Sequence, residues 1–326
     1  MSSKIEKKNI YKVESSKVTD HTFNRTKIVA TVGPACNSYD KLLELVRAGV
    51  NVFRLNFSHG VYEEKKQIID YIREINRKEK THVAILGDLQ GPKLRVGEIE
   101  NNGIMLNAGD TFIFTKTRMV GNKEKVYLSY PNFHKDVKVG EKIMIDDGKL
   151  EVIVKKILSN NDVKVEVLLG GVLSSKKGVN LPDTKISLPA LTAKDLADLD
   201  FIIKQQLSWV ALSFVRHGDD IKKLRKIIDK NKCKTKIIAK IEMPEAIPNI
   251  RDIINLSDGI MIARGDLGVE LPIEKVPLIQ KDIIRKYIHR AKPVIVATQM
   301  MESMIDRTKP NRSEITDVAN AVLEGT

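Results

Sequence analysis

Residues 237–242 and 257–268 have the sequences IIAKIE and SDGIMIARGDLG, and these two stretches decide the predicted fold. Each is an apolar run of strand length that ends in charged residues, and the second continues into a glycine-rich turn. Parallel strands that feed crossover helices bring their carboxyl ends to one edge of the sheet. We therefore expect Lys240, Glu242 and Asp266 to lie close together.

The same alternation of apolar runs and amphipathic stretches extends to both sides of these segments. It predicts seven barrel-type strands, over 26–32, 52–56, 83–88, 209–213, 235–241, 259–263 and 293–298. It predicts helices over 39–48, 61–78, 193–206, 218–230 and about 274–290, with a last amphipathic segment at 313–323. This order favours an α/β fold of the (β/α)8 TIM barrel type. The eighth unit is expected to be missing from this chain.

A different pattern occupies residues 94–179. Short runs such as LEVIVKKI at 150–157 and VKVEVL at 163–168 alternate apolar and polar residues, and turn clusters separate them. Alternation with a period of two is typical of half-buried strands, so this segment predicts a small all-β domain inserted after the third strand. The expected domains are an N-terminal arm at 1–24, a barrel domain formed by 25–93 and 180–326, and an inserted β domain at 94–179.

The composition argues against several classes of protein. Lys and Arg number 55 against 42 Asp and Glu, but aromatic residues make up only 5% and do not interleave with the basic ones, which disfavours nucleic-acid binding. No apolar run approaches the ~20 residues that cross a bilayer, and the first residues lack the apolar core of a secretory signal. The two cysteines, Cys36 and Cys233, are far apart, which indicates a reducing cytosol without a disulfide framework. Taken together, these features lead us to expect a cytoplasmic protein without a membrane or nucleic-acid partner.

The charged residues at the strand ends suit a metal ion. Lys240 and Glu242 are two apart on one strand and therefore face the same way, while Asp266 lies in the turn after the next strand. Two neighbouring carboxylates with open positions suit Mg²⁺, with Mn²⁺ as an alternative. The backbone N–H groups of Gly265 and Asp266 are suited to hold a carboxylate. A lone glutamate at a strand end is more often a surface charge, but a lysine with two carboxylates favours a functional site.

Three further residues are candidates for binding. Arg54, at the end of the second strand, is placed to bind a phosphate through two nitrogens. His59 follows in the next loop and is a base or metal ligand or, more commonly, a hydrogen-bonded loop histidine or a nucleotide contact. Lys177 lies in SSKKGVN at the end of the insertion, where lysines either close over phosphates or form a solvated charge pair.

Successive motifs from Lys27 to Thr326 resemble those of the pyruvate kinases. They are KIVATVGPA, RLNFSHG, DLQGPKLR, IDDG, SKKGVNLP, ALSFVR, AKIE, DGIMIARGDLGVE and ATQMMESM. The resemblance implies transfer of the phosphoryl group of phosphoenolpyruvate to ADP, which gives pyruvate and ATP in the last step of glycolysis. It also implies a barrel interrupted after its third strand by a mobile β lid, in a family whose members are usually homotetramers.

The resemblance implies a role for each matching residue on the phosphoenolpyruvate side. Glu242 and Asp266 would bind the Mg²⁺ that bridges the substrate, and Arg54 would hold the substrate phosphate. Lys240 would stabilise the charge on the phosphoryl group in transfer. The backbone N–H groups of Gly265 and Asp266 would bind the substrate carboxylate.

The resemblance also implies residues for proton transfer and for the nucleotide. Thr298, at the end of the last predicted strand, would help protonate the enolate through water. Pro34, His59 and Lys177 match positions on the nucleotide side. Asp147, in the insertion, matches a residue that moves toward the nucleotide when the lid closes.

One position departs from the potassium-requiring members of the family. The residues that match their ion site are Asn56, Ser58, Asp88 and the carbonyl of Leu89. Those members have a glutamate where this chain has Lys93, and an ammonium there supplies the positive charge that the ion otherwise provides near the substrate phosphate. We therefore predict activity that does not require potassium. The neighbours that fit the same variant are Leu89, Gln90 and Val96.

Two alternatives remain open from the sequence. The chain ends in ANAVLEGT, before the family's eighth strand, its SGET loop and its C-terminal domain, so one alternative is a truncated and catalytically incompetent fragment. The other is a barrel enzyme of aldolase type that uses phosphoenolpyruvate or pyruvate, against which the β insertion and the ADP-side motifs argue.

Met243 replaces a residue that is usually small and polar or basic in the family. We expect little effect on the chemistry, because Met243 faces away from Glu242.

Overall fold

The computed structural model describes residues 25–326, so the predicted arm at 1–24 lies outside the described residues. The strands, in chain order, are β1 (Val29–Thr31), β2 (Val52–Asn56), β3 (Ala84–Asp88), β4 (Gly103–Leu106), β5 (Thr111–Thr115), β6 (Lys125–Tyr127), β7 (Lys142–Ile145), β8 (Leu150–Ile157), β9 (Val163–Leu169), β10 (Gly171–Ser174), β11 (Val179–Asn180), β12 (Trp209–Leu212), β13 (Lys236–Ile241), β14 (Gly259–Ala263) and β15 (Val294–Ala297). The α-helices are α1 (Tyr39–Arg47), α2 (Tyr62–Glu79), α3 (Phe133–Asp136), α4 (Ala193–Lys204), α5 (Gly218–Lys230), α6 (Ile250–Leu256), α7 (Arg264–Glu270), α8 (Val276–Ile288) and α9 (Arg312–Leu323).

Seven strands form one parallel sheet, in the order β1, β2, β3, β12, β13, β14, β15. Each strand therefore pairs with the next one of the sheet along the chain, and crossover segments that contain helices connect the pairs. The insertion lies in the crossover from β3 to β12, before α4. The parallel sheet with its crossover helices confirms the predicted α/β class.

Apolar residues cover both faces of the parallel sheet. The larger core packs the helices against one face and includes Phe53, Ile72, Ile202, Ile228 and Ile253. The other face carries a smaller cluster, the inner cluster, which consists of Leu86, Ala211, Ile238 and Met261. Side chains alternate along a strand, so residues two positions further on point to the same side as the inner cluster.

The insertion has a second, mainly antiparallel sheet and a core of its own. The six-stranded sheet has the order β11, β7, β8, β9, β5, β6, and β4 and β10 form a separate antiparallel pair. The apolar core of the insertion includes Phe112, Phe114, Val152 and Val165. The chain enters and leaves the insertion side by side, because Val179 N donates to Leu94 O at 3.0 Å. The predicted strand-rich insertion after the third strand is therefore present.

Two helical segments differ from the prediction. The sequence does not predict α6, because this helix has only seven residues and follows Pro244 and Pro248. The predicted helix at 274–290 begins as a 3-10 turn at Ile273–Lys275 and becomes α-helical at Val276. Proline is tolerated in the first turn of α8 because no intrahelical partner exists there for its missing N–H. Among residues 25–326, no helix combines the length and the apolar character needed to cross a membrane.

Candidate functional site

The candidate site lies just beyond the inner cluster along the strands. Asp88, Ser213 and Lys240 each follow a member of that cluster by two residues, and Glu242 follows Lys240 by two more. The alternation of side chains along a strand points all four to one side. All four are buried, with Asp88 1% and Glu242 2% exposed. Buried charges are stable only when they are paired, and this group is paired internally.

The ammonium of Lys240 is the centre of this group. Its Nζ lies 2.8 Å from Glu242 Oε1 and 3.3 Å from Asp88 Oδ1, and it donates to Ser213 Oγ at 2.8 Å. Burial lowers the pKa of Lys240, but the two carboxylates outweigh burial and raise it above its ordinary value of 10.5. Lys240 therefore stays charged at neutral pH, as the stabilisation of developing negative charge requires.

Arg54 brings a second positive charge to the same edge of the sheet. Its Nε and Nη2 both lie 2.6 Å from Asp88 Oδ2, and its Nη1 donates to Thr31 Oγ1 at 3.0 Å. The parallel register of β2 and β3 places Arg54 opposite Leu86, one alternation before Asp88. The Arg54 side chain is 24% exposed, so its guanidinium lies between the buried group and solvent. An anion that enters from solvent meets this guanidinium and the Lys240 ammonium together.

Glu242 and Asp266 are the carboxylates predicted to hold a metal. Glu242 Oε2 accepts from Phe214 N at 2.7 Å, and Asp266 Oδ1 lies 3.4 Å from Lys93 Nζ. Burial raises the pKa of Glu242, the Lys240 ammonium opposes the rise, and the Asp266 carboxylate adds to it. Carboxylate oxygens that accept one hydrogen bond keep lone pairs for a cation, so the two residues fit a hard divalent metal.

The protein alone supplies few ligands for that metal. Within residues 25–326, no group of three or more His, Cys, Asp or Glu side chains is arranged to hold a metal ion. Mg²⁺ commonly takes one or two carboxylates and completes its shell with water and substrate oxygens. The donor set at this edge of the sheet therefore fits a metal that is shared with a ligand.

Two adjacent loops bring Thr298 next to Gly265. Gly265 N donates to Thr298 Oγ1 at 2.7 Å, so the loop after β15 contacts the start of α7. The first N–H groups of a helix have no intrahelical partner, which leaves donors at this position for an anionic group. Thr298 is exposed and directly follows β15. The structure therefore places Thr298, Gly265 and Asp266 at the same edge of the sheet.

The residues predicted for the nucleotide side lie on loops outside the buried group. Pro34 and His59 are exposed, in the loops after β1 and β2. Lys177 Nζ lies 2.9 Å from Asp146 Oδ1, whereas the predicted Asp147 is exposed beside it. Asp146 and Asp147 both adopt left-handed backbone conformations, with φ of 55° and 56°. The motif IDDG does not reveal which of two adjacent aspartates in one tight turn pairs with the lysine.

The oxygens predicted for a potassium site contact protein groups. Asn56 Oδ1 accepts from Ser58 N at 2.9 Å, and Leu89 O accepts from Ser213 Oγ at 2.7 Å. Asp88 is held by Arg54 and Lys240, as described above. Lys93 lies at the same edge of the sheet, through its contact with Asp266.

The sequence reasoning missed Ser213 and Glu270. Ser213 links Lys240 to Leu89 O, and the available signal was a polar residue at the end of a strand one unit before AKIE. Glu270 Oε1 accepts from Asn180 Nδ2 at 2.7 Å, while its buried Oε2 has no hydrogen-bond partner. Burial raises the pKa of Glu270 to about 7. No sequence signal indicates this burial, because a glutamate at the end of a short helix is usually exposed.

Comparison with known proteins identifies the family of this chain. The model of the family described as pyruvate kinase, barrel domain, matches residues 23–326. The pyruvate kinase of Geobacillus stearothermophilus is 46% identical over 304 residues, which are 93% of this chain and 52% of the relative. The pyruvate kinase of Staphylococcus aureus strain MRSA252 is 45% identical over 303 residues, with the same coverage. This chain therefore spans about half the length of these relatives.

A solved structure gives the same assignment. The crystal structure of a pyruvate kinase from Cryptosporidium parvum superposes with a TM-score of 0.87 at 41% identity. The match covers 92% of this chain and 63% of that one. Sequence and fold agree over nearly the whole of residues 25–326. This chain belongs to the pyruvate kinase family.

Proposed function

We propose that this chain carries the site that transfers the phosphoryl group of phosphoenolpyruvate to ADP, giving pyruvate and ATP in the last step of glycolysis. The observation that carries the proposal is the buried Lys240 ammonium, held by Glu242 and Asp88 beside the Arg54 guanidinium. Phosphoryl transfer depends mainly on positioning and on positive charge at the transferred group. Two cations fixed at one edge of the sheet supply both.

The roles follow from the contacts of each residue. Arg54 binds the substrate phosphate from the solvent side, and Lys240 faces the phosphoryl group in transfer from the buried side. The N–H groups of Gly265 and Asp266 bind the substrate carboxylate, which is a stronger acceptor than a hydroxyl and takes the Gly265 N–H from Thr298 Oγ1. Thr298, whose hydroxyl contacts Gly265 N, lies where the enolate left by phosphoryl transfer takes up its proton through water.

Glu242 and Asp266 are the residues that would hold Mg²⁺, and Mn²⁺ would fit the same oxygens. When bound, the metal would offset the negative charge of the substrate during phosphoryl transfer. Lys93, 3.4 Å from Asp266 Oδ1, adds a fixed positive charge at this position. We therefore propose that K⁺ is not required, although Asn56, Ser58, Asp88 and Leu89 match the positions that bind it in other members.

The insertion and the loops after β1 and β2 form the nucleotide side in this proposal. Residues 94–179 are the lid domain, and 25–93 with 180–326 are the catalytic domain, which supplies seven units of a (β/α)8 barrel. Pro34, His59 and Lys177 contact ADP, and Asp147 approaches it when the lid closes. The protein acts in the cytoplasm in this proposal, and members of the family are usually homotetramers.

The test is ATP formation from phosphoenolpyruvate and ADP by the whole chain with Mg²⁺, in buffers with and without potassium. Lys240→Met is the inactive variant, and Lys286→Met, at a surface lysine of α8, is its matched control. ATP formation by the wild type and the control, but not by Lys240→Met, is the expected result.

Two other outcomes separate the alternatives. Binding of phosphoenolpyruvate with Mn²⁺, seen by calorimetry without ATP formation, identifies a fragment that keeps its ligand contacts. Condensation of pyruvate with aldehydes, without ATP formation, identifies an enzyme of the aldolase type. Either outcome overturns the proposed reaction for this chain.

A further inference from the structure

One guanidinium joins three segments at the exit of the last two strands. Arg264, the first residue of α7, lies with its Nη1 2.6 Å from Asp317 Oδ1 on α9. Its Nη2 donates to Thr298 O at 2.9 Å and lies 2.9 Å from Met300 Sδ. The Arg264 side chain is 14% exposed and that of Asp317 is 31% exposed, so the guanidinium is largely buried while its partners lie nearer to solvent.

The loop that Arg264 contacts has a strained backbone. Thr298, Gln299 and Met301 have φ of 68°, 53° and 56°, in the left-handed region that residues with a Cβ rarely adopt. Threonine is branched at Cβ, which makes this conformation less favourable still. Such a conformation persists only when surrounding contacts hold it. The contacts that hold Thr298 are the Arg264 guanidinium on its carbonyl, Gly265 N on its hydroxyl oxygen, and the hydrogen bond that this hydroxyl donates to Ala297 O at 2.6 Å.

Asp317 determines where the Arg264 guanidinium points. A free arginine beside a site for an anionic substrate would turn toward that anion, because phosphate and carboxylate match its planar donors. The ion pair with Asp317 holds the guanidinium toward α9 instead. Its Nη2 is then aligned with Thr298 O.

We propose that Arg264 and Asp317 are positioning residues that fix the Thr298 hydroxyl for proton transfer to the enolate. The inference rests on the proposed function, since it assigns to Thr298 the protonation side of the reaction. Arg264 acts through the Thr298 carbonyl, and Asp317 acts through Arg264. Neither residue touches the phosphoryl group, which Arg54 and Lys240 bind.

The step that this arrangement controls runs in both directions. Toward the enolate, a C3–H bond of pyruvate breaks and the proton passes to a water held by the Thr298 hydroxyl. The electron pair forms the C2–C3 double bond, and the negative charge resides on the C2 oxygen. In the reverse direction a proton returns to C3, so that in D2O deuterium enters the methyl group. Exchange of the pyruvate methyl protons therefore measures this step without ADP.

The experiment uses Asp317→Asn and Arg264→Lys in the whole chain, with Asp282→Asn as the matched control. Asp317→Asn keeps the shape and removes the charge, and Arg264→Lys keeps the charge and loses the two-nitrogen fork. Asp282 forms an exposed ion pair with Lys286 on α8. Asp282→Asn therefore measures the effect of removing one surface carboxylate that does not contact Arg264. NMR follows methyl exchange in D2O with Mg²⁺, and calorimetry measures phosphoenolpyruvate binding.

Both variants are expected to slow methyl exchange at least tenfold, with phosphoenolpyruvate affinity within about threefold of the wild type. The control is expected to match the wild type in both measurements. Exchange at the wild-type rate in a folded Asp317→Asn chain overturns the proposal. An equal loss of exchange and of binding also overturns it, because that result indicates a general structural role.

A second readout separates this inference from the proposed function. Hydrogen exchange of the Gly265 amide reports its bond to Thr298 Oγ1 and needs no catalysis. Thr298→Ala removes the acceptor and calibrates full loss of protection. If the wild type neither binds phosphoenolpyruvate nor exchanges pyruvate protons, the proposed function fails. In that case, faster hydrogen exchange of the Gly265 amide in Asp317→Asn still supports the proposal that Arg264 and Asp317 position Thr298. An unchanged exchange rate of this amide overturns it.

Discussion

Lys240 and Glu242 form a buried ion pair, with Nζ and Oε1 2.8 Å apart, on one face of a single strand. A pair taken out of water is stable only while both charges remain, since an isolated buried charge is costly. Asp88 Oδ1 lies 3.3 Å from the same ammonium and makes no hydrogen bond of its own. The lysine therefore contacts two carboxylates and, together with Arg54 on Asp88, provides positive charge at the site.

Lys240→Met is expected to lower the free energy of unfolding by about 3–5 kcal/mol, because it leaves buried carboxylates without their cation. Urea denaturation at pH 7 measures the change. The double variant Lys240→Met with Glu242→Gln is expected to recover part of the loss, since one of the stranded charges is gone. A single variant as stable as the wild type would contradict the idea that this pair is energetically coupled.

Arg54→Lys is expected to raise KM for phosphoenolpyruvate about tenfold or more, equivalent to ~1.4 kcal/mol. A lysine cannot reproduce the contacts of the guanidinium with both Asp88 and Thr31, so the cation loses its fixed orientation. Arg47→Lys is the control, since Arg47 makes a comparable fork with Glu79 on the surface. An unchanged KM in Arg54→Lys would remove Arg54 from the phosphate site.

Lys93→Glu is expected to make turnover depend on potassium. The substitution replaces an ammonium beside Asp266 with a second carboxylate, and a monovalent cation is then needed to offset the negative charge. We expect turnover without potassium to fall at least tenfold and to recover when potassium is added. Lys204→Glu, an exposed charge reversal on α4, is the control. A wild-type chain that itself requires potassium refutes this reasoning at the outset.

Glu270→Gln is expected to stabilise the chain more as pH rises. The pKa of Glu270 is raised from 4.5 to about 7 by burial, so the folded state binds the proton more tightly than the unfolded chain. The contribution of the Glu270 carboxyl to the free energy of unfolding is therefore fully present below pH 4.5. It is lost as the pH rises through 7, by up to ~3 kcal/mol. Gln keeps the acceptor for Asn180 and carries no charge.

Urea denaturation at pH 5 and pH 8 measures this difference for Glu270. The stabilisation by Glu270→Gln is expected to be larger at pH 8, where the wild-type carboxyl is ionised. Asp282→Asn, at an exposed carboxylate, is expected to show no such change. Equal effects of Glu270→Gln at the two pH values would show that burial does not perturb this group in the folded chain.

Hydrophobic periodicity predicts most of this fold because the parallel strands are apolar on both faces. The strand predicted at 235–241 contains an apolar run at 237–239 and agrees with β13 to within one residue. Helix α6 escaped prediction because seven residues make only two turns, and its three buried isoleucines pack against partners that are distant in sequence. Periodicity cannot find a helix whose stability comes almost entirely from tertiary packing.

The sequence predicts the contacts of the candidate site that lie within one strand. It does not predict the contacts that depend on which strands are neighbours in the sheet. Lys240 and Glu242 share a face by alternation alone. The contact of Lys240 with Asp88 and Ser213 requires β12 to lie between β3 and β13, which no local pattern specifies. The contact of Asp317 with Arg264 likewise joins residues of two helices, α9 and α7, that are separated along the chain by α8 and β15. Such pairings appear only once the topology is known.

The side-by-side entry and exit of the insertion affect how the chain folds. Pairing of Leu86 with Trp209 closes a loop of about 120 residues, and most of that loop is the insertion. If the insertion folds first, the hydrogen bond between Val179 and Leu94 reduces the loop to about 36 flexible residues. The entropy cost of closure then falls by about 1 kcal/mol. The sheet that carries the site can therefore tolerate a large insertion between two adjacent strands, provided that the first and last residues of the insertion pair with each other.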